Sequence, residues 1–390
     1  MGSRAEAGGR WNDLARCAAG GGQAAALTHL PKGSDIHIDC GVPPALRLPD
    51  GLRSVRGYET PVKASDIEDL LRDLGLDAQD ILARVAAGGG QTRLSVTSIQ
   101  GVAFRLAITR FGGLTASGRG GLFSLALRRL RPTAPAFADL GLPEEVGELA
   151  TLKRGLVLIT GETGAGKSTT LAALIEYLNT QSNLRIVTIE EPVEYRFESR
   201  RCLIQQREVG FDVPSFELAV EHTLQQDPDV IVIGEIRNLA TLQAAFRAAS
   251  SGHLVYATLH TGSAAKTLQR IQDLYPIEFR HQALSDTAAF LAAVISQTLL
   301  PSRDGKRRHL AHEIMTVNPK LRAMIRDAKW LQIRGEVDRR APLSHLLNHS
   351  LAALVAGGLV EHDVARTASE DAGDLESRIG DLAAAEEGRR

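Results

Sequence analysis

The pattern of apolar and polar residues along the first third of the chain mixes two periods. Short alternating runs, typical of half-buried strands, stand beside segments whose apolar residues recur at helical spacing. Such a mixture over about a hundred residues predicts a small α+β domain. The predicted strands are Ser34 to Cys40, Leu46 to Leu48, Thr92 to Thr97 and Val102 to Ile108. The predicted helices are Ala64 to Leu74 and Ala78 to Ala86.

From Leu142 onward, short apolar runs alternate with helical segments. This order predicts a parallel sheet covered by helices, in which ligands bind at the carboxyl ends of the strands. The predicted strands are Leu156 to Thr160, Arg185 to Ile189, Val230 to Ile233 and Leu254 to Thr258. The predicted helices are Ser168 to Leu178, Phe216 to Gln225 and Leu239 to Ser251.

Beyond Pro276 the pattern predicts helices only, at Phe279 to Leu300, Pro319 to Arg326 and Leu343 to Ala356. We therefore predict a flexible tail over residues 1–33, an N-terminal domain over 34–131 and a linker over 132–141. An α/β core over 142–278, a helical C-terminal part over 279–366 and a flexible or loosely helical tail over 367–390 follow.

Composition narrows the function classes. The 390 residues carry a formal net charge of −1, so no overall charge favours nucleic acid or an anionic membrane. The most apolar segment, Ala283 to Leu300, contains polar residues and does not read as a membrane span. Three scattered cysteines form neither a disulfide framework nor a zinc spacing, and the N-terminus lacks a signal-peptide pattern. A cytoplasmic protein is predicted.

A glycine-rich turn between a predicted strand and a predicted helix carries the strongest chemical signal. Its sequence, GETGAGKST over residues 161–169, predicts a phosphate-binding loop in which backbone N–H groups and the helix N-terminus face the phosphates of ATP. Lys167 would reach the β and γ phosphates and Ser168 would hold Mg²⁺. The alternative is a chance match. The predicted nucleotide-binding residues are Gly161, Thr163, Gly164, Ala165, Gly166, Lys167, Ser168 and Thr169.

Two further predicted strands end in carboxylates. Glu190 follows the strand Arg185 to Ile189 and could accept a proton from the attacking water, unless this is an ordinary solvated strand end. Glu235 follows the strand Val230 to Ile233, but Gly234 replaces the usual aspartate. Glu235 would then serve Mg²⁺ or polarise the water, the alternative being a charge at a helix N-terminus.

Two histidines flank the strand Leu254 to Thr258. His253 precedes it and His260 follows it, and no partner stands at metal-ligand spacing. Either could sense the γ-phosphate, although an isolated histidine is more often an ordinary surface or core residue.

Taken together and in this order, these stretches resemble the type II/IV secretion ATPase superfamily, and most closely its PilT-type retraction motors of twitching motility. The resemblance runs from about Lys32 to about His362. The matching pieces are KGSDIHIDCGVPPALRL, GETGAGKSTTLAALIEYLN, TIEEPVEY, CLIQQREVG, DPDVIVIGEIRN, GHLVYATLHTGSAAKTLQRI and AHEIM.

The resemblance implies a ring of six subunits, each with a PAS-like N-terminal domain and a RecA-like core, and ATP bound between them. It implies a catalytic base at Glu190, an atypical Walker B carboxylate at Glu235, and a histidine box from His253 to Arg270 with His260 near the γ-phosphate. Arginines of the N-terminal domain would complete the site. The candidates are Arg105, Arg119 and Arg129.

Several positions depart from the family pattern. Glu190 is followed by Glu191 where aspartate is usual, Glu162 stands where proline is common, and Leu106-Ala107 replaces a typical Val-Asn pair. The C-terminal motif of the retraction motors is present only in altered form, at 320–327. These departures affect the assignment to retraction more than the nucleotide chemistry.

The leading hypothesis is therefore a hexameric ATPase that drives pilus retraction through an inner-membrane platform protein, at the cytoplasmic face of that membrane. The alternatives are a PilU-like accessory subunit that co-assembles with a paralogous motor, an extension ATPase, or a secretion or conjugation ATPase. A nucleic-acid translocase is disfavoured because no basic and aromatic binding stretch is present.

Overall fold

The computed structural model describes residues 35–48, 51–55, 59–73, 75–87, 91–98, 102–115, 118–129, 134–337 and 344–387. These residues form two compact units. The first contains the described residues before Ala134 together with Glu191–Arg196 and Glu208–Asp212. The second contains the remainder.

The first unit is built on a six-stranded antiparallel sheet in the order β3-β2-β1-β6-β5-β4. The strands are β1 Asp35–Asp39, β2 Ala45–Leu48, β3 Gly51–Ser54, β4 Gln91–Ser98, β5 Val102–Thr115 and β6 Gly118–Arg129. Helices α1 (Ala64–Asp73) and α2 (Ala78–Ala87) add Ile67 and Ile81 to a core shared with Ile36 and Leu106. The PAS-like assignment and the predicted domain boundaries stay predictions.

The second unit is built on a seven-stranded sheet in the order β13-β12-β7-β11-β10-β8-β9. Four neighbouring strands, β7, β11, β10 and β8, run parallel, as the sequence pattern predicted. Strands β7, β10 and β11 are buried along their whole length, as expected for a sheet covered on both faces. The strands are β7 Gly155–Thr160, β8 Arg185–Glu190, β9 Leu203–Glu208, β10 Val230–Ile233, β11 Leu254–Leu259, β12 Leu291–Pro301 and β13 Arg308–Thr316.

Helices follow most strands of this sheet, and polar side chains fix where several begin. Ser215, Asn238 and Ser263 each accept the backbone N–H three residues ahead, which satisfies a donor that the helix leaves unpaired. The helices are α3 Val146–Ala150, α4 Lys167–Gln181, α5 Phe216–Leu224, α6 Leu239–Ser250, α7 Ala264–Leu274, α8 Arg280–Phe290, α9 Pro319–Arg326, α10 Trp330–Val337, α11 Leu347–Ala356, α12 His362–Ala368 and α13 Ala372–Glu387. Short 3₁₀ turns occupy Phe137–Leu140 and Ile277–Phe279.

The helix predicted from Phe279 to Leu300 is wrong in its second half. Helix α8 ends at Phe290, and the next residues form β12 between β7 and β13. The first five residues of this strand, Leu291 to Ile295, are all apolar, so this part of its sequence shows no two-residue alternation. The expectation of helices only beyond Pro276 is therefore corrected by two added strands.

Within the tail predicted over 367–390 as flexible or loosely helical, residues 372–387 form helix α13. Leu375 on this helix is fully buried in a cluster with Leu351 and Val360. The predicted tail over 1–33 and the start of the helix predicted from Leu343 lie outside the described residues. None of the helices in the described part of the chain has the length and apolar character that a membrane span needs.

Candidate active site

The glycine-rich loop joins β7 to α4 at the carboxyl edge of the sheet. Gly164 and Gly166 adopt positive φ angles of 84° and 91°, which L side chains rarely tolerate. A Cβ atom on Gly161 would lie 2.8 Å from Ala165 Cβ and closer still to the Gln297 carbonyl oxygen. The backbone thus follows a tight path with helix α4 starting directly behind it, which suits a bound phosphate.

The remaining predicted residues of the loop lie in the turn and in the first turn of α4. Thr163 is exposed on the turn, and Ser168 and Thr169 are half-buried in the first turn of α4. Ser168 is the second residue of the helix, so it stands where a hydroxyl can contribute a ligand to Mg²⁺. The glycine cradle and this oxygen donor are compatible with a Mg²⁺-nucleotide.

Lys167 is buried and connects the loop to the neighbouring strands. Its ammonium donates to the Gly161 and Glu162 carbonyl oxygens at 2.7 and 3.0 Å and lies 3.3 Å from His260 Nδ1. His260 Nε2 lies 2.9 Å from Glu235 Oε1. An imidazole that accepts from the lysine and donates to the carboxylate satisfies both contacts as a neutral ring. The structure therefore links three of the predicted site residues.

Glu190 ends β8, one strand further along the sheet. Its Oε1 accepts the Thr188 hydroxyl at 2.6 Å and the Gln206 side-chain amide at 3.1 Å. Strands β8 and β10 are paired, so Glu190 and Glu235 leave the same edge of the sheet. These contacts fix the orientation of the carboxylate that the sequence proposes as the base.

The replacement of the usual aspartate by Gly234 has a steric counterpart in the structure. A Cβ atom at Gly234 would lie 3.2 Å from Glu190 Cα and 3.2 Å from the Ile189 carbonyl oxygen. The Gly234 N–H also donates to that oxygen at 2.7 Å, and its carbonyl accepts the Thr258 hydroxyl at 2.5 Å. A side chain at position 234 would therefore require the backbone of β8 to shift by a few tenths of an ångström, and in this chain the acidic group stands one residue later, at Glu235.

His253 is not brought to this site. It precedes β11, whereas His260 follows it, and a strand rises about 3.3 Å per residue. The two histidines therefore lie about 20 Å apart. His253 Nδ1 instead lies 3.1 Å from the Ala248 carbonyl oxygen and 3.0 Å from the Ser251 hydroxyl, at the amino edge of the sheet. Within the subunit, the prediction that His253 contacts the nucleotide is therefore wrong.

The three predicted arginines belong to the first unit. Arg105 lies on β5, where its guanidinium forms an ion pair with Glu194 at 3.7 Å. Arg119 and Arg129 lie on β6, but their side chains fall outside the described residues. A contact between any of these arginines and phosphate stays a prediction.

A cavity of about 460 Å³ lies among the 3₁₀ turn at 137–140, the start of β13 and helix α11. His312 and His345 line it, with 2.9 Å between His312 Nδ1 and His345 Nε2. Burial and the neighbouring imidazole lower the pKa of His312 to about 3, so its ring stays neutral. Within the described residues, no three His, Cys, Asp or Glu side chains are grouped to hold a metal ion.

Sequence reasoning missed the residues that support the site from other strands. Gln206 on β9 orients Glu190, and Gln297 on β12 donates its side-chain amide to Thr170 at 2.7 Å in α4. Both belong to strands that were not predicted. Gln206 lies in the CLIQQREVG stretch that carries part of the family resemblance, and this stretch was the one feature of the sequence that pointed to a role for Gln206.

Comparison with known proteins agrees with this geometry. The family described as type II/IV secretion system protein matches residues 118–366. The type IV pilus retraction ATPase PilT of Pseudomonas aeruginosa is 37% identical over 334 residues, 85% of this chain and 93% of that protein. The type IV pilus ATPase PilU of the same organism is 34% identical over 364 residues, 89% of this chain and 88% of PilU.

Two solved structures of related ATPases match this chain over most of its length. The crystal structure of the pilus retraction motor PilT with bound ADP matches with a TM-score of 0.75 and 36% identity, over 88% of this chain and 95% of that one. The Legionella pneumophila ATPase DotB matches with a TM-score of 0.74 and 25% identity, over 86% of this chain and 91% of that one. On sequence and structure together, this chain belongs to the type II/IV secretion system protein family.

Proposed function

We propose that this chain is an ATPase motor subunit that hydrolyses ATP to drive retraction of type IV pili. The observation that carries the proposal is the chain of contacts from Lys167 through His260 to Glu235, on strands next to the one that ends at Glu190. The retraction ATPase PilT supports it, because this chain is 37% identical to PilT over 93% of the length of PilT. A phosphate loop, a strand-end base and a second strand-end carboxylate are the parts that this reaction requires.

In this proposal each residue has one role. The loop N–H groups and Lys167 bind and orient the phosphates, and Glu190 accepts the proton of the attacking water. Ser168 and Glu235 would hold Mg²⁺, which neutralises charge on the phosphates when it is bound. His260 contacts both Lys167 and Glu235, so it can transmit the loss of the γ-phosphate to the segment that follows it.

The assembly is also part of the proposal. A homo-hexamer with ATP between subunits would make hydrolysis depend on assembly, with Arg105, Arg119 or Arg129 neutralising the transferred phosphoryl group. The ring would act in the cytoplasm, at the inner face of the inner membrane, on a platform protein of the pilus. These assignments rest on the family resemblance.

A second candidate is an accessory subunit of the PilU kind that binds ATP but turns it over slowly beside a paralogous motor. The 34% identity to PilU over 88% of its length favours it. The matching family is described as type II/IV secretion system protein, so a secretion ATPase is a further candidate. Protein that binds ATP and releases almost no phosphate would support the accessory role.

The test is phosphate release from ATP across a range of protein concentrations, with Lys167→Ala and Glu190→Gln beside the parent. The motor proposal expects activity per subunit to rise as the ring assembles, and expects both variants to lose it. Twitching should return when the parent gene, but not Lys167→Ala, is supplied to bacteria that lack their own retraction ATPase. A parent no more active than Lys167→Ala at every concentration would overturn the proposal.

A further inference from the structure

Glu313 on β13 is a buried carboxylate that the roles above do not use. It is 6% exposed, and a carboxylate in such surroundings needs hydrogen-bond donors to remain in place. Its Oε1 accepts the backbone N–H of Ala264 at 2.7 Å. Burial raises the pKa of this carboxyl, while the backbone N–H groups of Ala264 and Leu347 lower it.

Ala264, which donates to Glu313, is the first residue of α7. Leu347, whose backbone N–H lowers the pKa of the same carboxyl, is the first residue of α11, so one carboxylate lies near the N-termini of two helices. The positive end of a helix dipole favours a negative charge at this position. Glu313 therefore connects α7 to β13 and to the C-terminal part of the unit.

The segment before α7 carries His260. Only Thr261, Gly262 and Ser263 separate His260 from Ala264. The Thr261 and Thr267 hydroxyls lie 2.7 Å apart, and Thr267 donates to the Ser263 carbonyl oxygen at 2.8 Å. Hydrogen bonds thus connect residues within 261–267, and a shift of Ala264 would displace Thr261, the residue that follows His260.

A second contact joins α7 to the C-terminal helices at the surface. Glu370 accepts Lys266 Nζ at 2.6 Å and Arg334 Nη1 at 2.9 Å. Lys266 lies on α7, as Ala264 does, but its exposed ion pair with Glu370 does not involve the N–H of Ala264. It provides a matched comparison for Glu313.

We infer that Glu313 is a positioning residue of the ATPase site. Its carboxylate holds the N-terminus of α7 and thereby keeps His260 in contact with Lys167 and Glu235, and it couples that contact to α11. The inference rests on the proposed ATPase function. It predicts that Glu313 affects turnover through His260 and leaves the binding of nucleotide largely intact.

The experiment compares Glu313→Gln with the control Glu370→Gln in the full-length protein. Because small misplacements of catalytic groups cost about 10-fold to 100-fold in rate, Glu313→Gln should lower kcat by at least about 10-fold. Its Kd for ADP should stay within about twofold, and Glu370→Gln should retain parental kcat. Glutamine keeps the size of the side chain and one acceptor oxygen but loses the negative charge and the second acceptor oxygen, so the variant is expected to fold with a weakened hold on the helix N-terminus; thermal unfolding and assembly size verify folding.

The decisive arm combines each variant with His260→Ala. If Glu313 acts through His260, Glu313→Gln should reduce kcat by less than about twofold in the His260→Ala background. An equal loss in both backgrounds, or a Glu313→Gln variant with parental kcat, would overturn the inference.

Amide exchange over residues 261–267 gives a readout that does not need hydrolysis. It should accelerate in Glu313→Gln and remain parental in Glu370→Gln, and unchanged exchange in both would overturn the positioning role. A parent without phosphate release would instead overturn the proposed function, so the two failures are distinguishable.

Discussion

Two carboxylates leave neighbouring strands at the same edge of the sheet and differ in the side chains that contact them. Glu190 accepts two neutral donors, the Thr188 hydroxyl and the Gln206 amide, on one oxygen. Glu235 faces His260 on one oxygen, and the Arg237 guanidinium donates to the other at 2.9 Å. The Arg237 guanidinium adds a permanent positive charge beside Glu235, while the Thr188 and Gln206 donors fix the orientation of Glu190. On this difference we propose that Glu190 accepts the proton and that Glu235 serves the metal side of the site.

The largest expected effect comes from removing each charge in turn. Glu190→Gln should lower kcat by about 10²-fold to 10⁴-fold, the usual range for a general base, at every Mg²⁺ concentration. Glu235→Gln should cost less at saturating Mg²⁺ and should require more Mg²⁺ for half-maximal phosphate release. A Glu190→Gln variant with more than about a tenth of parental activity, or a Glu235→Gln variant with unchanged Mg²⁺ dependence, would contradict the assignment.

The next effect is structural and comes from Gly234. Gly234→Asp restores the usual acidic residue but places a side chain against Glu190 Cα and the Ile189 carbonyl oxygen. We expect overpacking to lower the free energy of unfolding by about 1–3 kcal/mol, measured by chemical denaturation. Gly234→Ala separates the loss of space from the added charge and should cost less. A stable and fully active Gly234→Asp would show that the strand spacing does not dictate the position of the acid.

A smaller effect is expected when one neutral donor is removed from Glu190. Gln206→Leu removes the donor to Glu190 and also the acceptor of the Phe197 backbone N–H. Loss of the bond to Glu190, about 0.5–1.5 kcal/mol, corresponds to a decrease in kcat of about 2-fold to 10-fold, and the loss at Phe197 should lower the free energy of unfolding. Gln205→Leu is the matched control, because Gln205 is exposed on the opposite face of the same strand. Equal steady-state rates for both variants would mean that Gln206 does not orient the base.

The smallest effect is expected at the far end of β11. His253→Ala removes contacts with Ala248 and Ser251 and should lower the free energy of unfolding by about 1 kcal/mol. Its kcat should stay within about twofold of the parent, while His260→Ala should lose much more. A large loss of kcat in assembled His253→Ala would return His253 to the nucleotide site.

Local patterns were sufficient for the central sheet and the phosphate loop. Apolar runs such as Leu156 to Thr160 are distinctive because they are short and end at a glycine turn, and the loop is contiguous in sequence. Strand β12 was not predictable in the same way, because it begins with an apolar run, Leu291 to Ile295, that has no period to separate strand from helix. Gln206 and Glu313 were missed because their partners, Glu190 and Ala264, are brought to them by the order of strands in the sheet.

Strand β12 has a consequence for the thermodynamics of nucleotide binding. Its Gln297 packs its carbonyl oxygen against Gly161 and donates its side chain to Thr170, while the neighbouring Ser296 contacts Thr160 at 2.8 Å. The start of the loop and the first turn of α4 are thus held by the same strand. Their conformational entropy is lost when the chain folds, so a nucleotide that binds there does not carry that cost, and it binds more tightly than it would to a loop that became ordered only on binding.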